Sequence, residues 1–220
     1  MIIKADKGTY FVFDLDDTLY FEVDYLKSAF KSIASRIESG SYIQLYDEIL
    51  SIYKSGGDTF EYIIKNFPRE NYTKEYLLNL YRNHLPQIVL KEGVLEMLFK
   101  IKTKNGKIGI ITNGRSITQR NKIKALGLEP FTDIIIISEE IGFEKPNEMV
   151  YKDFLKKKSI SQFYYFGDNL TNDFISPRKL GWCCIGIINE NNINKSDITV
   201  VSQECLPHLF IKEFSEIEII

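Results

Sequence analysis

The sequence is poor in the residues that bind soft metals or build cross-links. Its 220 residues hold three cysteines and two histidines. Cys183 and Cys184 are adjacent, Cys205 lies apart, and no Cys-x-x-Cys pair occurs. That rules against a disulfide framework and against a zinc site, which needs clustered thiolates or imidazoles. Charge of either sign is not in excess: 28 basic against 30 acidic side chains leave a net −2. No electrostatic footprint for nucleic acid or an anionic membrane surface is present. The densest basic run, Lys156-Lys157-Lys158, falls where a helix is expected to end and reads as a dipole-favoured C-terminus. No apolar run reaches membrane-spanning length, and Met1-Ile2-Ile3-Lys4 is too short for a signal peptide. A reduced, cytoplasmic chain with no membrane partner is the expectation.

What is present is concentrated in Tyr10-Phe11-Val12-Phe13-Asp14-Leu15-Asp16-Asp17-Thr18-Leu19. A short run of strand formers ends in three carboxylates and a hydroxyl. Such a run reads as a buried strand of a parallel sheet, with Asp14 at its carboxyl end. Open α/β sheets place their ligand sites there. So much negative charge at a buried edge requires a cation or nearby donors.

Further along, the pattern changes twice. Over 21–89, Val23, Leu26, Phe30, Ile33 and Ile37 recur at helical spacing, Leu45, Ile49 and Ile52 continue it, and Asp58 and Thr73 are placed to cap two more helices. No strand pattern interrupts this block, so a helical insertion is expected there. From residue 90 strands and helices alternate. Strands are expected at 108–111, 134–137, 163–166 and 183–188, with a short edge strand at 198–201 and a polar loop over 189–194. Ser116-Ile117-Thr118-Gln119 matches a capping box. Alternation of this kind implies right-handed crossovers and a doubly wound parallel sheet, an α/β fold.

Polar clusters recur just past expected strand ends: Asp14, Asp16 and Thr18; Thr112-Asn113-Gly114; Asp168 with Asp173; and Lys145 in a loop after another strand. Carboxylates clustered without His or Cys favour a hard cation, most simply Mg²⁺. Thr112 offers a hydroxyl, and the Asn113-Gly114 turn offers N–H groups, to phosphate oxygens. Lys145 offsets the carboxylates and an incoming phosphate. Together these describe phosphoryl transfer to an Asp nucleophile. Asp17 reads as structural, Arg115 as a group near the phosphate turn or simply exposed, and Trp182 as core.

Asp14-Leu15-Asp16-Asp17-Thr18, Thr112-Asn113, Lys145-Pro146 and Gly167-Asp168-Asn169-Leu170-Thr171-Asn172-Asp173 resemble, in order and spacing, the four motifs of the haloacid dehalogenase superfamily. The resemblance implies a Rossmann-like core over 1–20 and 90–220, with residues 21–89 as a small all-helical cap. It implies Asp14 as the nucleophile that becomes an aspartyl-phosphate, and Asp16 as general acid and then base. Asp14, Asp168 and the Asp16 carbonyl would hold Mg²⁺, Thr112, Asn113 and Lys145 the phosphate, with Thr18 and Asp173 in support. The expected activity is Mg²⁺-dependent hydrolysis of a small phosphorylated metabolite, by a monomer or homodimer. A phosphomutase would carry the same motifs. A metal-independent dehalogenase would not need Asp16 and Asp168. A receiver-type phosphorylation switch would lack the helical insertion and would place its acceptor on a middle strand.

Overall fold

The computed structural model describes residues 1–69, 72–157, 159–188 and 201–220. In chain order its elements are β1 (Ile2–Ile3), β2 (Thr9–Phe13), α1 (Glu22–Ile37), α2 (Tyr42–Lys54), α3 (Thr59–Asn66), α4 (Lys74–Asn83), α5 (Val94–Thr103) and β3 (Lys107–Thr112). There follow α6 (Ser116–Ala125), β4 (Ile134–Ile137), α7 (Ser138–Ile141), α8 (Lys152–Leu155), β5 (Gln162–Gly167), α9 (Ile175–Lys179), β6 (Cys183–Ile187), β7 (Leu209–Ile211) and β8 (Glu218–Ile219). A 3-10 turn, Glu148–Tyr151, leads into α8.

Every residue of β2 is buried, because the strand lies inside a six-stranded sheet of order β4-β3-β2-β5-β6-β7. All of its pairings are parallel. Alternate side chains of β2 enter two separate cores, as a strand covered on both faces requires. Phe11 and Phe13 join Leu98, Ile101 and Phe166 on one face, while Tyr10 and Val12 join Phe154, Tyr165 and Trp182 on the other. Cross-strand rings stack along the β2–β5 register: Phe13 on Phe166 at 4.7 Å and Phe11 on Tyr164 at 5.4 Å. Cys183 and Cys184 fall on opposite faces of β6, packed against opposite cores. These stacked pairs fix the β2–β5 register, which brings the ends of both strands to one edge.

Helices α1–α4 bury a third core of their own, built from Leu26, Phe30, Ile33, Leu45, Ile49, Ile63 and Leu77. The expected caps are present: Asp58 accepts the N–H groups of Phe60 and Glu61, and Thr73 accepts that of Tyr76.

Several expectations are corrected. The amino-terminal stretch is two strands, and β1 pairs with β8 in a separate two-stranded sheet. The sheet edge next to β6 is β7, a segment with no sequence expectation, because three residues are too short to show periodicity. Val201 is in no strand, and the remainder of the expected 198–201 strand lies outside the described residues, as do the 189–194 loop and Lys158. On α5 the buried face is Val94, Met97, Leu98 and Ile101, leaving Leu95 exposed. Among the described residues no helix is long and apolar enough to cross a membrane.

Candidate active site

Three strands end at one point. β2 delivers Asp14, β3 ends on Thr112, and β5 runs into Gly167 and Asp168. Asp14, Asp16, Glu22, Thr112, Asn113, Lys145, Asp168, Asn169, Asn172 and Asp173 line a single cleft of about 200 Å³. The sequence places these residues up to the chain's far end from one another. The parallel sheet brings them together.

Lys145 is the electrostatic centre. Its Nζ donates to Asp14 Oδ1 at 2.5 Å, to Asp173 Oδ1 at 2.6 Å and to the Tyr165 hydroxyl at 3.3 Å. Burial alone would lower the lysine's pKa, but the two carboxylates outweigh it and push it up, so the ammonium is permanent. The Lys145–Pro146 peptide is cis. Asn113 secures this loop from the neighbouring strand: its Oδ1 accepts the Lys145 N–H at 2.8 Å and its Nδ2 donates to the Lys145 carbonyl at 3.2 Å. The Asn113 amide is therefore committed to the lysine loop. The expected Gly114 N–H is committed too, donating to Ser138 Oγ at 2.9 Å.

Asp173 is not part of a helix. It precedes α9 and folds back on the loop, where its Oδ2 accepts the N–H groups of Asp168 and Asn169. A side chain at Gly167 would stand 2.5 Å from that oxygen, so only glycine lets the loop close here. With Lys145 and Tyr165 on Oδ1, both Asp173 oxygens are occupied by protein donors.

Asp14, Asp168 and Asp173 each present an oxygen within 4.8 Å of the others. Burial pushes Asp168 up to about 9, helped by Asp14 and Asp173, and pushes Asp14 up to about 7 against the pull of Lys145. Carboxylates raised this far mark a site short of positive charge. Thr18, fully buried, places its hydroxyl 3.4 Å from Asp168 Oδ1. Asp17 adopts the left-handed φ of 55°, and its Oδ1 accepts the Glu22 N–H at 2.9 Å, which ties the motif to the start of α1. Lys91 donates to the Asp17 carbonyl from the chain returning to the core.

Asp16 points away from that carboxylate trio. Lys122 Nζ donates to its Oδ1 at 2.6 Å, the Tyr20 hydroxyl donates to the same oxygen, and Gln119 Nε2 donates to Oδ2 at 2.7 Å. Burial by itself would raise this carboxyl, but the charge of Lys122 and the three donors outweigh it and hold it below the ordinary range. Glu22, at the entrance, is pushed up to about 7 by burial and by Asp16.

Lys122, Tyr20 and Glu22 carry no motif in the sequence, and Gln119 reads there only as part of a capping box. Ser116 does not cap α6; it is the first helical residue and its hydroxyl donates to Glu140 Oε1, so no capping box forms. A signal was available, because the apolar stripe of α6 is nearly absent and its buried face is Gln119, Lys122 and Ile123. Arg115 is exposed and lies 3.9 Å from Glu139.

A family profile described as haloacid dehalogenase-like hydrolase matches residues 11–187, a span that holds every residue named in the cleft. The chain belongs to this family. A relative from Methanocaldococcus jannaschii, named glyceraldehyde 3-phosphate phosphatase, is 28% identical over 191 residues, covering 80% of this chain and 83% of that one. Among solved structures, the HAD-hydrolase YfnB from Bacillus subtilis, bound to magnesium, superposes with a TM-score of 0.64 at 18% identity, covering 96% of this chain and 97% of that one. A 2-haloacid dehalogenase from Pseudomonas syringae does so with a TM-score of 0.58 at 18% identity, covering 94% and 95%. At these identities the structural likeness shows the shared fold.

Proposed function

We propose that this chain is a Mg²⁺-dependent phosphatase that hydrolyses a small organic phosphate monoester through an aspartyl-phosphate on Asp14. Family membership and relatives named as phosphatases support the reaction class, phosphoric monoester hydrolysis. The observation that carries the reading is Lys145 held between Asp14 and Asp173 at the floor of the cleft, with Thr112 and Asp168 on its walls. A nucleophilic carboxylate facing an anionic substrate needs such a cation beside it.

The oxygen-only trio Asp14, Asp168 and Asp173 fits a hard divalent cation, and Asp14 and Asp168 are the side chains assigned to hold it, with the Asp16 carbonyl. Bound there, Mg²⁺ supplies positive charge that screens nucleophile from phosphoryl group. Asp14 attacks phosphorus, the bond to the leaving oxygen breaks, and Asp16 gives that oxygen a proton. A water then attacks phosphorus, Asp16 takes the water's proton, and the bond to Asp14 breaks. Asp16 begins and ends this cycle protonated, and the clamp of Lys122, Tyr20 and Gln119 holds the carboxylate it becomes between the two steps, the form that takes the water's proton. Thr112 and Lys145 hold the phosphoryl oxygens throughout. The helices of 21–89 are assigned as a cap that excludes water and reads the rest of the substrate. A cleft of about 200 Å³ suits a substrate of a few carbons. The relatives' names make glyceraldehyde 3-phosphate the first substrate to try.

Phosphate release from a panel of small phosphates, with Mg²⁺ and after chelation, tests this. Release that stops with chelator and returns with Mg²⁺ is expected. Chloride release from 2-haloacids without phosphate release would favour the dehalogenase reading instead.

Metal and proton compete at this site. Asp168 and Asp14 titrate near 9 and 7 in the metal-free fold, against an ordinary 3.8. Between those values the folded state binds more protons than the unfolded one, so stability falls as pH rises. The melting temperature of the chelated protein should therefore decline from about pH 4 to about pH 9. Mg²⁺ at a hundred times its dissociation constant should raise it by roughly 5–10 °C at the alkaline end. A flat profile that Mg²⁺ does not move contradicts the metal assignment.

A further inference from the structure

Gln119 is buried to 2% exposure on α6, yet it belongs neither to the carboxylate trio nor to the donors around Lys145. Its side-chain nitrogen lies 2.7 Å from Asp16 Oδ2 and 2.5 Å from Thr112 Oγ1. The chain is built around that position. Gly114, at φ 137°, begins the turn from β3 to α6, and a side chain there would stand 3.2 Å from Gln119 Cδ. Lys122, three residues further along the same helical face, reaches the other oxygen of Asp16 at 2.6 Å.

The proton inventory fixes the direction of each bond. Gln119 Nε2 donates to Asp16 Oδ2, on the carboxyl whose other oxygen accepts from Lys122 and Tyr20. That nitrogen has two hydrogens, and the second points at Thr112 Oγ1. The threonine oxygen is thereby an acceptor from Gln119, and its own hydrogen is left to donate elsewhere. Among the described residues its acceptor is the Asn113 carbonyl at a long 3.4 Å. The cleft that Thr112 lines is where a phosphoryl oxygen would accept it.

We propose that Gln119 is a positioning residue for two groups at once: it turns the Thr112 hydroxyl into a donor to the substrate phosphoryl group and, with Lys122, holds Asp16 in place for proton transfer. This rests on the phosphatase reading above. Gln119 touches no reacting atom and acts only through Thr112 and Asp16.

The two roles separate by leaving group. Nitrophenolate departs without a proton, whereas the alkoxide of glycerol phosphate needs one from Asp16. The full chain with Mg²⁺ is assayed on both esters as wild type, Gln119→Leu, Thr112→Val, the double variant and Lys122→Met. On nitrophenyl phosphate, Gln119→Leu should lose roughly ten- to hundredfold in kcat/KM, as Thr112→Val does, and the double variant should be no worse than either. On glycerol phosphate, Gln119→Leu should lose a further factor of about 10² in kcat/KM, which ends at departure of the leaving group. Lys122→Met, which leaves Thr112 untouched, should show that alkyl-specific loss in kcat/KM alone, while its slower hydrolysis of the phospho-enzyme lowers kcat on both esters. It tests the Asp16 half even where Gln119→Leu fails to fold. Equal losses on both esters that multiply with Thr112→Val, or wild-type kinetics in Gln119→Leu, overturn the proposal while the phosphatase reading stands. A wild-type chain that releases phosphate from neither ester, nor from the wider panel, overturns both.

Discussion

Asp14→Asn is expected to abolish phosphate release, with kcat reduced by at least about 10⁴-fold on every ester the wild type accepts. The amide is nearly isosteric with the carboxylate but cannot form a stable ester with phosphorus under turnover conditions. It also removes the charge that Lys145 meets at 2.5 Å, and so lifts part of the burial penalty carried by Asp14. The metal-free variant should accordingly fold at least as well as wild type at alkaline pH, where an ionised Asp14 is most costly. Loss of activity without loss of stability separates a nucleophile from a structural carboxylate. Residual turnover near the wild-type rate would place the chemistry on another group.

The second large effect is at Lys145. Its side chain is almost wholly buried and bridges two carboxylates that are buried with it. Lys145→Met removes the cation between Asp14 and Asp173 and leaves the two carboxylates facing each other. Breaking a buried ion pair by deleting one partner costs about 3–5 kcal/mol. For a chain of this size that is a fall of roughly 6–20 °C in melting temperature. Activity should fall as well, by roughly 10²–10³-fold, because the charge beside the phosphoryl oxygens is lost. The stability loss should be smaller at acidic pH, where Asp14 can protonate, and thermal melts at two pH values with chelator present check this. A variant as stable as wild type at alkaline pH would mean that the trio is held apart by something other than Lys145.

The contrast between what could and could not be read in the sequence has a physical basis. Asp14, Thr112 and Asp168 announce themselves because each polar residue stands at the end of an apolar strand, and Lys145 because it follows another such strand in a loop. The burial of β2 and the parallel sheet follow from the same runs. Gln119 and Lys122 were hidden because their partner, Asp16, is more than a hundred residues away in sequence. Only the angle at which α6 leaves β3 aims them at it. The Ser-x-x-Gln pattern also has a sufficient local explanation as a capping box, and that explanation is the wrong one here. The partners of Asp173 were hidden for the same reason: donors from Lys145, Tyr165 and two loop amides, none of them legible in the local pattern, draw it into the core. Strands β7 and β8 are too short to carry a pattern, and pairing with β6 and β1 alone makes them strands.

The central claim is that Asp14 carries the phosphoryl group between two half-reactions. Acid quenching of the chain during Mg²⁺-dependent turnover of a small phosphate ester, followed by peptide mass spectrometry, reads this directly. The phosphoryl mass is expected on the peptide containing Asp14, absent in Asp14→Asn and enriched when Asp16 is replaced by Asn, because the base for the second step is then missing. Steady turnover with no phosphoryl group on that peptide, even in the Asp16→Asn chain, would contradict the covalent mechanism.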